Sequence, residues 1–346
     1  MKNMNNKKDT CLTGACPTPQ APDPALVKLS EGSGGRDMLH FIDTISKHLS
    51  YRGDWENTDN DGATLQLPNG DYLVFTTDSY VVTPAFFPGG NIGKLAFCGT
   101  VNDLAMMGAT PLGLSMGLIL EEGMKKDELN EIIATIGALS KEHKIPIATG
   151  DTKVMERGAL DKIVINTSGV GIVKQPLQAP LTPGDKIIFS GGIGEHGTAL
   201  LAKRFELETE LVTDSKPLHE EISAIKDDIK QARDITRGGV AAVLNELATK
   251  NGVKFYLDED IVPMKGQVRA LTELLGIEPY NLACEGRFVC FAAAEQADRV
   301  LATLKKFNDM ATIVGEVKIG SGVEIQTRFG SKILSMPIGE LVPRIC

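Results

Sequence analysis

Ala63-Thr64-Leu65-Gln66-Leu67-Pro68-Asn69-Gly70-Asp71-Tyr72-Leu73-Val74-Phe75-Thr76-Thr77-Asp78-Ser79 is the stretch that decides the fold. Strand-forming runs flank Pro68-Asn69-Gly70-Asp71, and Asn-Gly suits the tight turn of a hairpin. The stretch therefore predicts antiparallel strands over 63–67 and 72–78. The two-residue strand period places Tyr72, Val74, Thr76 and Asp78 on one face, with Asp78 at the strand's end.

Outward from the hairpin, residues 36–49 predict a helix behind a loop of small residues at 29–35. Asn91 is a natural N-cap for a helix reaching about residue 107, closed by Gly108. A strand over 114–120 follows. Leu129, Ile132, Ile133, Ile136 and Leu139 then form the apolar stripe of an amphipathic helix, and strands are expected over 145–149 and 162–173. The order β-β-α-β-α-β-β describes an α+β layer rather than a Rossmann unit. Pro176, Pro180 and Pro183 mark a linker. A strand over 186–190 and the turn Gly191-Gly192-Ile193-Gly194 open a second domain. Helices are expected there over 195–204, 216–231, 237–249 and 264–275, and strands over 253–258, 287–294, 311–318 and 322–327. The expected division is a disordered leader at 1–28, an N-terminal domain at 29–174, a linker at 175–184, a C-terminal domain at 185–338 and a mobile tail at 339–346.

A chain of 346 residues has room for two such cores. Its formal charge of −9 argues against nonspecific binding to nucleic acid or anionic membranes. No run approaches a membrane span, and the polar start is unlike a secretory signal. The six cysteines are scattered and form no disulfide framework, so a cytoplasmic location is expected. Cys11 and Cys16 read as incidental thiols of the leader. Cys98, Cys284 and Cys290 read as small buried hydrophobes.

Four motifs carry chemistry. Gly32-Ser33-Gly34-Gly35 precedes a helix, where free backbone amides suit an anion, although such stretches are also merely flexible. Asp78, the Asn102-Asp103 pair inside an otherwise small and apolar helix, and Asp151 in Thr149-Gly150-Asp151-Thr152-Lys153 are carboxylates in constrained places. Each has a bland reading as a cap or turn residue; together they suggest oxygen ligands for Mg²⁺, with Lys153 positioned to neutralise a phosphoryl group. In Asp234-Ile235-Thr236-Arg237-Gly238-Gly239, Thr236 suits a cap for a helix starting at Arg237. The costly paired glycines there fit a tight interdomain contact and an anion site equally well. Glu285 in Ala283-Cys284-Glu285-Gly286-Arg287 is either a general base tuned by burial or a partner of Arg287. The tail adds Pro343-Arg344-Ile345-Cys346. A terminal thiol is either incidental or a carrier with reach.

In this order, these motifs, with Phe87-Pro88-Gly89-Gly90-Asn91-Ile92-Gly93-Lys94, resemble the HypE family of hydrogenase maturation factors, within the aminoimidazole ribonucleotide (AIR) synthetase-like ATP-binding superfamily. The resemblance runs from about residue 29 to Cys346. It implies a PurM-like architecture, with an α+β N-terminal domain, an α/β C-terminal domain and a flexible tail. It also implies a homodimer whose N-terminal sheets form a barrel, with ATP near that interface. Cys346 would receive a carbamoyl group from the carbamoyltransferase HypF. The thiocarboxamide would be dehydrated with ATP to a thiocyanate, and the cyano group passed to iron on a HypC–HypD complex for [NiFe] hydrogenase. The residues then expected at the nucleotide are Gly32, Ser33, Gly34, Gly35, Asp78, Asn91, Lys94, Asn102, Thr152 and Lys153. Asp78, Asp103 and Asp151 are expected on Mg²⁺; Cys346, Lys153, Glu285 and Arg344 in the chemistry. The competing readings are another ATP-dependent small-molecule phosphotransferase of the superfamily, with Cys346 incidental, and a non-catalytic nucleotide-binding scaffold.

Overall fold

A computed structural model describes residues 25–339. Cys11, Cys16, Arg344 and Cys346 lie outside the described residues.

After a single 3-10 turn at Leu29–Gly32 comes helix α1 (Arg36–His48). The hairpin forms as expected between β2 (Ala63–Gln66) and β3 (Tyr72–Tyr80), preceded by the short β1 (Trp55–Glu56). Its turn is closed by Leu67 N–H donating to the Asp71 carbonyl (2.8 Å) and Gly70 N–H to the Leu67 carbonyl (2.9 Å). A small ribbon, β4 (Phe86–Phe87) and β5 (Gly90–Asn91), leads into α2 (Ile92–Met106). Asn91 caps that helix: its Oδ1 accepts from the backbone N–H of Gly93 (2.9 Å) and Lys94 (3.2 Å).

There follow β6 (Thr110–Glu121), α3 (Lys126–His143), β7 (Ile147–Met155) and β8 (Ile163–Val173). The sheet order is β1-β2-β3-β8-β6-β7, with only β6 and β7 parallel. The strand expected at 145–149 in fact continues through Asp151 to Met155, and β7 is exposed along nearly its whole length.

The second sheet, ordered β10-β12-β9-β13-β11-β14-β15, is built from β9 (Lys186–Phe189), β10 (Gln231–Asp234), β11 (Lys254–Asp258), β12 (Phe288–Ala292), β13 (Thr312–Lys318), β14 (Gly322–Thr327) and β15 (Gly330–Ile333). Its helices are α4 (Glu195–Arg204), α5 (His219–Ile225), α6 (Gly239–Asn251), α7 (Gly266–Leu275) and α8 (Ala294–Leu304). The helix expected over 216–231 is only α5. Beyond it the chain turns, and Ala232 and Asp234 alternate inward on β10. Helix α6 starts at Gly239 with Gly238 as a left-handed N-cap (φ 77°), so Thr236 is not its cap. Helix α8 was hidden behind an overlong strand at 287–294, although Ala297, Val300 and Leu304 carry a helical stripe.

Helix α2 is buried on almost every side. Leu95 and Phe97 join the N-terminal core, while Ala105 and Met106 pack with Ile188, Leu218, Ile222 and Phe288 of the second domain. Cys98, Cys284 and Cys290 are free and buried, as expected. Among the described residues no helix is long and apolar enough to cross a membrane.

Candidate active site

A cleft of about 600 Å³ lies between the 29–35 segment, the hairpin and the end of β10. Asp61 precedes β2, Asp103 comes from the last turn of α2, and Asp234 ends β10. One carboxylate oxygen from each lies within 4.8 Å of the others. Asp103 Oδ2 accepts from Thr76 Oγ1 at 2.7 Å, and Asp61 pairs with Arg233 at 2.8 Å. Asp78 lines the same cleft, 3.7 Å from Arg237.

The electrostatics are strained. Burial, then Asp234, Asp61 and Asp78, push the Asp103 carboxyl well above the usual range. Burial and Asp61 push Asp234 up to about 8, against the pull of Arg233. The Arg233 pair does not offset three clustered carboxylates, and their all-oxygen donors suit a hard divalent cation. Mg²⁺ therefore fits the residues present.

Within one chain the residues expected on Mg²⁺ do not all meet. Asp78 pairs in register with Thr167, Thr167 with Met116, and Met116 with Gly150, so Asp151 is three strands away. At roughly 4.8 Å per strand that is about 14 Å. Asp151 instead makes an exposed pair with Lys153 (3.1 Å), and Thr152 stands between them on the exposed β7. Within one chain, Asp61 and Asp234 complete the cluster. The run Asp59-Asn60-Asp61 was the missed signal for the first. Asp234 sat in a motif whose glycines drew the attention.

The Gly motif is held by contact. Cβ atoms added at Gly34 (φ 82°) and Gly35 (φ 85°) would lie 2.8 Å from Arg237 C and 2.5 Å from the Pro337 carbonyl. Arg36 N–H donates to the same Pro337 carbonyl (3.1 Å). Gly32 has open space, and Ser33 Oγ donates to the Leu29 carbonyl. Gly238 abuts Gly34 and Gly35, and an added Cβ at Gly239 would meet the Tyr280 carbonyl at 2.5 Å. The close contact expected at these glycines is present.

Other expected nucleotide residues have local partners. Asn91 Nδ2 reaches Thr135 (2.9 Å) and Lys94 Nζ the Gly89 carbonyl (3.0 Å). Asn102 spans the domains: Nδ2 donates to the carbonyls of Lys216 (3.2 Å) and Glu285 (3.3 Å), and Oδ1 accepts from Leu218 N–H (2.8 Å).

Glu285 is buried, and its Oε1 has no hydrogen-bond partner among the described residues. Burial raises its pKa well above the usual range, with Asp234, Asp214 and Asp78 adding to the shift. Asp214, which sequence reading did not single out, fixes the Glu285 backbone by accepting its N–H at 2.7 Å. The alternative pairing with Arg287 is not formed: that guanidinium lies 3.6 Å from Glu195 and donates to the Gly286 carbonyl.

Profiles described as AIR synthase related protein, N-terminal domain and C-terminal domain match residues 59–173 and 182–328. The chain is 44% identical to the carbamoyl dehydratase HypE of Rhizobium leguminosarum bv. viciae over 334 residues, 92% of this chain and 95% of that protein. It superposes on HypE from a HypE–HypF complex with a TM-score of 0.79 and 37% identity, covering 86% of this chain and 99% of that one. With HypE crystallised in complex with ATP the TM-score is 0.77 at 39% identity, over 92% and 99% of the two chains.

Proposed function

Because the chain belongs to the AIR synthase related family and, within it, to the HypE carbamoyl dehydratases, we propose that it dehydrates a carbamoyl group with ATP, in the service of [NiFe] hydrogenase maturation. The group is carried as a thiocarboxamide on Cys346. The observation that supports this most directly is the buried carboxyl of Glu285, whose Oε1 has no hydrogen-bond partner among the described residues and whose pKa is raised by burial and by Asp234, Asp214 and Asp78.

The chemistry needs both parts. The amide oxygen is a poor leaving group; attack by that oxygen on the γ-phosphorus releases ADP and makes it one. Loss of both nitrogen protons and of phosphate then gives S–C≡N. Glu285 accepts a nitrogen proton in its ionised form, which burial makes a stronger base than an ordinary carboxylate; a cation held by the acidic cluster would favour that form by offsetting Asp234 and Asp78. Asp61, Asp103 and Asp234 would hold Mg²⁺, with Asp78 beside them. When bound, that ion spreads the charge of the phosphoryl group. Gly32, Ser33, Gly34 and Gly35 shape the wall next to the phosphates, and Asn91 sets the start of α2. Arg344 orients the tail.

Asp151, Thr152 and Lys153 complete the site from a second protomer. The exposed β7 is an edge strand, the kind that pairs with another copy, and a homodimer through it supplies Lys153 to its partner's nucleotide. The domains divide at the proline-rich 175–184 segment, the carbamoyl donor is HypF, the acceptor is an iron-bearing HypC–HypD complex, and the setting is the cytoplasm.

The test is direct. Protein carbamoylated at Cys346 and mixed with MgATP loses the mass of one water at that residue. No such loss, or undiminished ATP-dependent turnover after Cys346→Ser, removes the proposal.

A further inference from the structure

A second cluster lies outside the acidic cleft, at the other junction between the domains. His143 is the last residue of α3, and His219 and Glu220 open α5. One ligand atom from each lies within 4.8 Å of the others. The imidazoles meet edge to face, with centroids 5.2 Å apart and planes at 84°. The Nδ1 atoms of both are buried without a hydrogen-bond partner among the described residues. Two stranded nitrogens on neighbouring imidazoles are costly unless something binds them.

We propose that His143, His219 and Glu220 bind a divalent transition-metal ion, with Zn²⁺ the best fit, which ties α3 of the N-terminal domain to α5 of the C-terminal domain. Two imidazoles and a carboxylate with an open fourth position form a donor set that zinc accepts. Imidazole also selects against Mg²⁺, so this site is chemically separate from the all-oxygen cleft. Zinc–ligand bonds of about 2.0–2.1 Å place tetrahedral ligands roughly 3.3 Å apart. The three atoms therefore need to close by at most about 1.5 Å, which the half-buried histidines and exposed Glu220 allow by side-chain rotation. His219 and Glu220 also line a cavity of about 350 Å³, so water reaches the fourth position. Burial, and His143 beside it, lower the His219 pKa and favour the neutral ring. Lys226 shares the cavity wall; Glu220 offsets that charge.

The probe is Zn²⁺ itself, titrated calorimetrically into the full chain in excess Mg²⁺, with Cys11, Cys16 and Cys346 changed to serine so that thiols do not compete. One equivalent binds and raises the melting temperature. His143→Gln and His219→Gln each weaken binding by about 10-fold or more, as loss of a ligand requires, while Asp103→Asn leaves it unchanged. Glu220→Gln, at an exposed side chain that leaves the fold intact, also weakens binding and reduces the zinc-dependent melting shift. Absence of binding in the serine-substituted chain overturns the proposal. So does equal affinity in Glu220→Gln and the parent, whatever the histidine variants do.

Discussion

Asn102→Ala separates two roles for a residue that sequence motifs place at the nucleotide and geometry places between domains. The amide is buried and makes three hydrogen bonds across the interface. Truncation strands the N–H of fully buried Leu218, at about 1–3 kcal/mol. It also removes donors from two carbonyls, for a total near 3 kcal/mol. In domains of this size each kcal/mol lowers Tm by roughly 2–4 °C, so the variant melts about 6–12 °C below the parent. Hydrogen exchange supplies the local reading: the Leu218 amide loses protection while Asp103 and its neighbours on α2 keep theirs. ATP affinity, measured at a temperature where both proteins are folded, changes less than about threefold. The reasoning is refuted if Tm falls by less than about 2 °C, Leu218 stays protected and ATP affinity collapses. That outcome would return Asn102 to the nucleotide.

Glu285→Gln lowers turnover by about 10²–10⁴-fold with ATP affinity retained, measured by single-turnover dehydration of carbamoylated protein. Its folded-state pKa is raised, so the native state holds a proton that the unfolded chain gives up. The parent's stability therefore declines as pH rises from the ordinary carboxylate range towards the raised value. The Gln variant lacks that decline, and denaturant titrations at pH 5 and pH 8 read the difference. Gly34→Ala forces a Cβ to 2.8 Å from the Arg237 backbone at φ 82°. It displaces the 29–35 segment, which limited proteolysis detects as new cleavage there, and ATP turnover falls. Asp103→Asn relieves like-charge repulsion, so it melts above the parent without Mg²⁺ and loses most of the parent's Mg²⁺-dependent stabilisation; equal Mg²⁺ shifts in both proteins would remove Asp103 from the metal. Lys153→Ala leaves monomer folding unchanged, because its pair with Asp151 is exposed. Turnover is lost and is restored in mixed dimers that pair it with a protomer disabled at Glu285, if the partner supplies the lysine.

The hairpin and the Asn91 cap were legible because each depends on residues within a few positions of one another. Asn69-Gly70 sets its own turn, and Asn91 Oδ1 reaches amides two and three residues on. Asp61 and Asp234 were not legible as a pair. They stand more than 170 residues apart in sequence, and only the packing of β10 beside the N-terminal domain brings them together. Strand β7 was misread for a different reason. Its polar Gly150-Asp151-Thr152-Lys153 run faces outward on an edge, so no hydrophobic alternation marks it in a single chain.

Helix α2 shows how the two kinds of information meet. A helix buried around its circumference has no polar face on which to hide Asn102 and Asp103, so each needs a partner. Consecutive helical residues point about 100° apart. Asn102 can thus reach the backbone of Lys216, Leu218 and Glu285, while Asp103 reaches Thr76 and the acidic cleft. The carboxylate that repels its neighbours and the amide that fixes the proposed base are set by one rigid element.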